Sequence, residues 1–550
     1  MDIKTKVESK VNFDKREKQY KPIVLLVLDG WGLCPAWGGN AITMAGPQHF
    51  NYYWRNYPHA ILQSFRLIAG FFGKVGNSEV GHASLGAGRI VYQDSVDISQ
   101  SIKNGFFFKN PVLLSAIKLA QQKGRRLHLI GLLSDGAIHS HTQHLYALLE
   151  MIKSQGVNEL YIHPILDGID TLPTDGLHFV RQLCDFLGRN QIGQIATLSG
   201  RFYAMDRDGN LDRVAKAYQA MVLGQGNLTD DDPPTALCRQ YQKNIDDFGL
   251  PPIVFTKNKQ PIGTIRDGDI VICWNFRSDR MRQLIRSFLD PHSYRKFIFF
   301  RTLKILNINL VTLTSYHLDD LKVIVAFKPA KIKNHLTEIL SQKGFKQLHV
   351  AESEKLAHVT YFFNGGVEQE YPGEQRIIIP SLKSGNLTAH PEMSANEIKK
   401  AVIDGVRCDK YDFILANFAN VDMIAHTGNI EASVKAIDIV DNCLDEIIKE
   451  TQKKGGVAII TADHGNAEQV VQLQQAEPET LHTLNPVPFI LVASDRQKTT
   501  GKIETVGQSL LAQIITTPYS LADVAPTILE LLNIPKPYEM SGHSLLDDLH

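Results

Sequence analysis

The stretch Val75–Gly88 sets Ser78 among four glycines, with Glu79 and His82 close behind it. Glycine lets backbone approach a ligand and take positive φ, so the stretch suits a loop that handles phosphate. Alone, the same pattern serves an ordinary turn. Its partners lie far off in the chain. Asp422 and His426 stand four apart, Asp463 and His464 are adjacent, and Asp29 and His482 add an oxygen and a nitrogen donor. Taken singly, such residues also serve as helix caps or hydrogen-bonded histidines. Six of them together read as a site for two divalent cations. Mixed carboxylate and imidazole donors suit Mn or Zn, and the near absence of thiolates argues against a structural zinc. Phosphate-monoester cleavage, among the slowest uncatalysed reactions, explains why two would be wanted. One cation holds a serine hydroxyl as an alkoxide while the other neutralises phosphoryl oxygens, which makes Ser78 the candidate nucleophile.

A second set is cationic. Arg201 and Arg207 flank the string Arg-Phe-Tyr-Ala-Met-Asp-Arg beside Gly200, and Arg277 and Arg280 stand three apart with Arg282 beyond. Guanidinium groups grip carboxylate and phosphate in bidentate fashion, so four of them suit a small dianionic substrate. Solvated Arg–Asp pairs with Asp206, Asp208 and Asp279 are the competing reading.

These residues need elements to carry them. Apolar runs recur, each ending in polar residues: Ile23–Leu28 before Asp29, Leu127–Leu133 before Ser134 and His139, Leu160–Leu166 before Asp167 and Asp170, and Gln194–Leu198 before Ser199. Ile270–Cys273 leads to Asn275 and Arg277, Phe413–Leu415 to Asn417 and Asp422, and Val457–Thr461 to Asp463. Uninterrupted runs of this kind are the mark of buried parallel strands. Ser394 and Glu397 fit a capping box ahead of Ile398, Val402 and Val406 at helical spacing. A second helix carries Ile430, Val434, Ile437, Val440, Leu444 and Ile447 on one stripe and stops at Gly455-Gly456. Strands alternating with helices predict an α/β fold with mainly parallel sheets, its ligands beyond the carboxyl ends of the strands. Cation-binding residues near both termini and arginines in the middle predict a discontinuous domain, 21–92 and 329–550, interrupted by an inserted domain, 93–328, after a charged tail, 1–20.

At 550 residues two or more domains are expected. Basic and acidic residues balance at 58 each, so there is no basic field for nucleic acid or an anionic membrane, and the partner is expected to be a small molecule. Six cysteines without CxxC spacing read as reduced thiols of a cytoplasmic protein. The first twenty residues lack the apolar core of a signal peptide, and no apolar run reaches the roughly 20 residues of a membrane span.

Taken together, the strings resemble the cofactor-independent (2,3-bisphosphoglycerate-independent) phosphoglycerate mutase family of the alkaline-phosphatase-like superfamily. The matching text is LDGWG at 28–32, GNSEVGH at 76–82, GAGRIVYQ at 86–93, LLSDGAIHSH at 132–141, GRFYAMDRD at 200–208 and NFRSDR at 275–280. It continues with EKLAHVTYFFNGG at 354–366, PEMSA at 391–395, NFANVDMIAHTG at 417–428, TADHGNAE at 461–468 and HTLNPVPFI at 482–490. The tail and the stretches near 285–310 and 495–515 are not usefully matched.

The resemblance implies interconversion of 3- and 2-phosphoglycerate in glycolysis and gluconeogenesis, with two manganese ions and no 2,3-bisphosphoglycerate. It implies Asp422, His426 and His482 as ligands of one metal, and Asp29, Ser78, Asp463 and His464 as ligands of the other, Ser78 carrying the phosphoryl group. His139, Asp170, Arg201, Arg207, Arg277 and Arg280 correspond to substrate-holding residues, and Lys355 to a lysine on the phosphoryl group. Asp170 is the expected proton shuttle, and the arginine domain is expected to close over the metal domain to keep water from phospho-Ser78. A monomer is expected. Two positions depart from the family: Ile169 stands where Arg is usual, and Phe72–Gly76 replaces the usual Pro-x-Gly-Gln-Met-Gly approach to the serine. A related phosphatase or phosphopentomutase, or a mutase-derived protein with reduced or lost activity, are the alternatives.

Overall fold

The computed structural model describes residues 20–64, 77–301, 303, 305–328, 331–382, 386–472, 477–498 and 517–549. Residues 1–19 of the charged tail, the approach at 72–76 and residues 499–515 lie outside these. Among the described residues, 20–64, 77–91 and 331–549 form one compact unit, and 92–328 form a second.

The first unit is built on a seven-stranded sheet in the order Glu374–Ile379, Gln347–Glu352, Phe413–Phe418, Ile23–Leu28, Val457–Thr461, Val487–Val492, His59–Leu62. The first five are parallel and the last two join antiparallel. Ile23–Leu28 is central, pairing Leu25 with Leu415 on one side and Ile459 on the other, and all six of its residues are buried. A strand covered on both faces must be apolar at every position, which is why the run shows no alternation. Helix Ile430–Lys453 buries Ile437, Val440, Leu444 and Ile447, and Asn429 caps it by accepting from the Ala432 N–H at 2.9 Å. Helix Ala395–Arg407 packs against it and buries Ile398, Val402 and Val406. The expected capping box does not form. Ser394 occupies the cap position, but its hydroxyl donates to the Pro380 carbonyl at 3.3 Å, so a tertiary partner outcompetes the local one.

In the second unit the strands run Val323–Val325, Asn309–Thr312, Ile270–Cys273, Leu127–Leu132, Leu160–Leu166, Thr197–Gly200, Ile253–Lys257, Asn227–Thr229. All pairings are parallel up to Thr197–Gly200, which meets Ile253–Lys257 antiparallel. The expected Gln194–Leu198 strand divides into Gln194–Ile195 and Thr197–Gly200, both alongside Leu160–Leu166. Alternate residues feed separate cores: Leu127, Leu129, Ile270 and Ile272 enter one, while Ile130, Leu132, Val271 and Cys273 enter the other. The segment 285–310 fills the second core with Phe288 and Phe300. Both units are α/β with mainly parallel sheets, and in both the polar residues that follow the apolar runs emerge at the carboxyl ends of parallel strands.

Candidate active site

Ser78 opens helix Ser78–Ala87, whose N-cap Asn77 accepts from the Val80 N–H at 3.0 Å. From Ser78 to Ala87 the glycine-bearing stretch is thus a helix and not a loop. Its glycines serve close approach: a Cβ on Gly81 would lie 2.6 Å from the Asp463 carbonyl oxygen, and one on Gly86 would lie 2.1 Å from that of Phe363. Each costs roughly 1 kcal/mol of helix propensity, set against seating Ser78 directly on the strand-end loop that carries Asp463.

Around the serine the expected residues of this unit converge. His464 Nε2 lies 2.8 Å from Ser78 Oγ, which also donates to Asp29 Oδ1 at 3.2 Å. Lys355 Nζ donates to Ser78 Oγ at 2.9 Å and to Asp29 Oδ1 and Asp422 Oδ2 at 2.8 Å each. Asp422 Oδ1 stands 3.3 Å from both His426 Nε2 and His482 Nε2, which face each other at 2.9 Å. Asp29, Asp463 and His464 are fully buried, and Ser78, Lys355 and Asp422 nearly so.

The donor set fits divalent cations. Three buried carboxylates, Asp29, Asp422 and Asp463, surround the ammonium of Lys355, the one ammonium there among the described residues. Burial, reinforced by Asp463, raises the Asp29 carboxyl against the pull of Lys355. At Asp422 burial works in the same direction, but Lys355 and the hydrogen bonds from His426 and His482 overcome it and hold the carboxyl well below its usual range. Asp463 Oδ2 is buried with no aligned donor, although His82 Nδ1 stands 3.2 Å away. His426 Nδ1 lies 2.7 Å from the Thr480 carbonyl, a contact that requires a proton there and turns Nε2 toward His482 and Asp422. Ligand atoms of Asp29, Asp463 and His464 gather within 4.8 Å, as do those of Asp422, His464 and His482, so His464 belongs to both groupings.

Sequence reasoning named His82 and Asn417 without giving either a role, and did not single out Asn466. Asn417 Nδ2 donates to Asp29 Oδ2 at 2.8 Å and lies 3.0 Å from His82 Nε2, while His82 Nδ1 lies 2.8 Å from the Ser78 carbonyl. Asn466 Nδ2 donates to Asp422 Oδ1 at 2.8 Å. Their only signal was position, two to five residues from a strand end or a ligand.

The second unit holds the arginines. Arg201 is almost fully buried, with Nη1 on Asp167 and 3.0 Å from Asp170 Oδ2. Asp167 Oδ1 also accepts the Asp170 N–H at 3.0 Å, and Ser134 donates to Asp167 Oδ2 at 2.6 Å. Asp279 gathers three groups: Arg207 Nη1 at 3.1 Å, Arg277 Nε at 3.2 Å and His139 Nδ1 at 3.6 Å. Arg280 Nη1 reaches the Met205 carbonyl at 3.4 Å. Burial and then Arg201 push His139 down to about 3, against the pull of Asp279, so the ring is neutral at pH 7. Asp206, one of the acids that could have neutralised the arginines, instead pairs with Arg213 at 3.1 Å. His139, Asp170, Arg201, Arg207, Arg277 and Arg280 thus fall in one unit, and the candidate metal ligands with Lys355 in the other. Ile169, beside Asp170, is 61% exposed.

Fold and site define a class: α/β proteins with a two-part divalent-cation donor set built around a serine at the carboxyl ends of a mainly parallel sheet. Comparison with known proteins narrows it. The family model for the BPG-independent PGAM N-terminus matches residues 98–318. The 2,3-bisphosphoglycerate-independent phosphoglycerate mutase of Moorella thermoacetica is 44% identical over 528 residues, covering 96% of this chain and 98% of the relative. That of a Cyanothece species is 44% identical over 529 residues, covering 96% of each. Among solved structures, a Leishmania mexicana phosphoglycerate mutase at low cobalt concentration superposes with a TM-score of 0.68 at 27% identity, covering 96% of this chain and 98% of the other. The chain belongs to the 2,3-bisphosphoglycerate-independent phosphoglycerate mutase family.

Proposed function

We propose that this protein interconverts 3-phosphoglycerate and 2-phosphoglycerate through a phosphoserine at Ser78, without 2,3-bisphosphoglycerate. The observation that carries the reading is the placement of Ser78 Oγ, 2.8 Å from His464 Nε2 and 2.9 Å from Lys355 Nζ at a buried set of carboxylates and imidazoles. Family membership over nearly the whole chain supports it.

Asp422, His426 and His482 would hold one divalent cation and Asp29, Ser78, Asp463 and His464 a second, with manganese the metal we assign. Bound there, such cations lower the pKa of a hydroxyl and neutralise phosphoryl oxygens. The chain's own groups do the rest. Ser78 Oγ forms the new bond to phosphorus as the phosphate ester of the substrate breaks, and Lys355 offsets charge on the phosphoryl group. Residues 92–328 act as the substrate domain: Arg207, Arg277 and Arg280 grip the anionic glycerate, and Arg201 holds Asp170 in place. Asp170, with neutral His139 beside it, takes the proton from one glycerate hydroxyl and returns it to the other oxygen. The phosphoryl group then leaves Ser78 for the second hydroxyl. Retained glycerate separates this reaction from hydrolysis. We assign the protein to the cytoplasm, as a monomer in glycolysis and gluconeogenesis.

The test is purified protein with Mn2+ and 3-phosphoglycerate, free of bisphosphoglycerate and coupled to enolase. Phosphoenolpyruvate formation is expected. Free phosphate alone would mark a phosphatase, and neither product would mark a protein that has lost the activity, for which exposed Ile169 is the motive.

A further inference from the structure

Glu468 lies directly behind the candidate metal site and is fully buried. Among the described residues no Lys or Arg side chain pairs with it. Its four partners are all donors. Oε2 accepts the Gly32 N–H at 3.1 Å and the Asn466 N–H at 2.9 Å; Oε1 accepts Asn485 Nδ2 at 3.0 Å and the Thr483 hydroxyl. Each donor belongs to a loop that carries site residues. Gly32 follows Asp29, Asn466 follows Asp463 and His464, and Thr483 is next to His482. Asn466 also donates its side chain to Asp422. The Thr483 N–H closes the circle by donating to the Gly465 carbonyl at 2.9 Å.

Two glycines make room for this carboxylate. A Cβ on Gly32 would sit 2.3 Å from Glu468 Cδ, and one on Gly465 would sit 2.4 Å from Oε1. Neither has positive φ, so space and not backbone freedom calls for glycine at both. A buried carboxylate with both oxygens doubly satisfied has one low-energy orientation, because losing any donor leaves an unpaired polar atom.

We propose that Glu468 is a positioning residue that locks the three loops bearing Asp29, Asp463, His464 and His482 into the spacing that divalent cations need. It touches neither cation nor substrate. The inference rests on the two-cation reading above. Groups that hydrogen-bond metal ligands directly change metal affinity 10- to 100-fold when removed, and we take that as the range for Glu468, which holds the ligand-bearing loops instead.

The test is Mn2+ binding to the full chain, read from the electron paramagnetic resonance of free Mn2+, with circular dichroism and the unfolding midpoint of the unloaded protein alongside. Wild-type protein is expected to bind two ions. Glu468→Ala should weaken both steps roughly 10- to 100-fold. Glu468→Gln keeps one oxygen for the Gly32 and Asn466 N–H groups and should recover much of the loss. Thr483→Val removes one of the two side-chain ties between Glu468 and the His482 loop and should weaken, by up to about tenfold, the step that His482→Gln abolishes, with the other within about twofold. A merely structural role would lower the unloaded midpoint without separating the two steps. Should Glu468→Ala fail to fold, Thr483→Val and Glu468→Gln decide. Folded variants that bind both ions as tightly as wild type overturn the positioning role alone. Wild-type protein that binds no Mn2+ overturns the two-cation reading, and this inference with it.

Discussion

His464 Nε2 lies 2.8 Å from Ser78 Oγ although the two residues are 386 apart in sequence. That contact puts the hydroxyl at the N-terminus of its helix, facing the buried carboxylates. Ser78→Ala should lower mutase turnover by at least about 10⁴-fold, the scale seen when a nucleophile is removed, without unfolding the protein. Incubation with 32P-labelled 3-phosphoglycerate and acid quench should label wild type and leave the variant unlabelled. A variant that isomerises at the wild-type rate would refute the phosphoserine route.

Among the described residues Lys355 is the only ammonium at the three carboxylates of the site, bridging Asp29 and Asp422. Lys355→Met removes it and leaves those buried charges uncompensated, a cost of about 3–5 kcal/mol in the unloaded protein. Divalent cations replace that charge. Differential scanning calorimetry should therefore find a lower unloaded midpoint in the variant and a larger rise on adding Mn2+ than in wild type, with catalysis still impaired.

His139 carries the pH prediction. Its pKa falls from 6.5 to about 3 on folding, chiefly through burial and Arg201. The unfolded chain takes up this proton first as pH drops, so stability is fully present above 6.5 and declines from there toward about 3. His144 and His335, also buried and lowered, act in the same direction. In His139→Gln the slope of unfolding free energy against pH in that window should be shallower by up to about 1.4 kcal/mol per pH unit, one proton's share. Urea titrations between pH 4 and 6.5 measure it.

Ile169 is exposed beside Asp170, at the position where the resemblance implies Arg. Ile169→Arg adds an anion-binding group at an exposed position and should lower KM for 3-phosphoglycerate roughly fivefold, about 1 kcal/mol. Stability should change by less than about 0.5 kcal/mol, because no packed contact is lost. Steady-state kinetics check the first expectation, and an unchanged KM would mean that position 169 takes no part in holding the substrate.

Much of the molecule was legible in one dimension. Ile23–Leu28 and Val457–Thr461 are strands because a strand buried on both faces must be apolar throughout, and that demand is written locally. The donors Asp29, Asp463 and His464 were visible because they follow such runs directly. Ser394 was misread as a side-chain cap, since a hydroxyl chooses among acceptors through space and Pro380 offered one from another segment.

The chain by itself determined the α/β class, the strands, and the stock of carboxylates, imidazoles and guanidinium groups. Those follow from residue type and short-range periodicity. Tertiary structure decided which of these groups meet and which are already occupied. It made a helix of the glycine-bearing stretch, because Gly81 and Gly86 allow Ser78–Ala87 to press on the Asp463 and Phe363 backbones. It committed Arg201 to Asp167 and Asp170, and gave Arg207 and Arg277 a shared partner in Asp279. It also placed Glu468 where three loops converge. Burial and partner choice depend on neighbours hundreds of residues away, and desolvation, which makes those partnerships obligatory, exists only once the chain has folded.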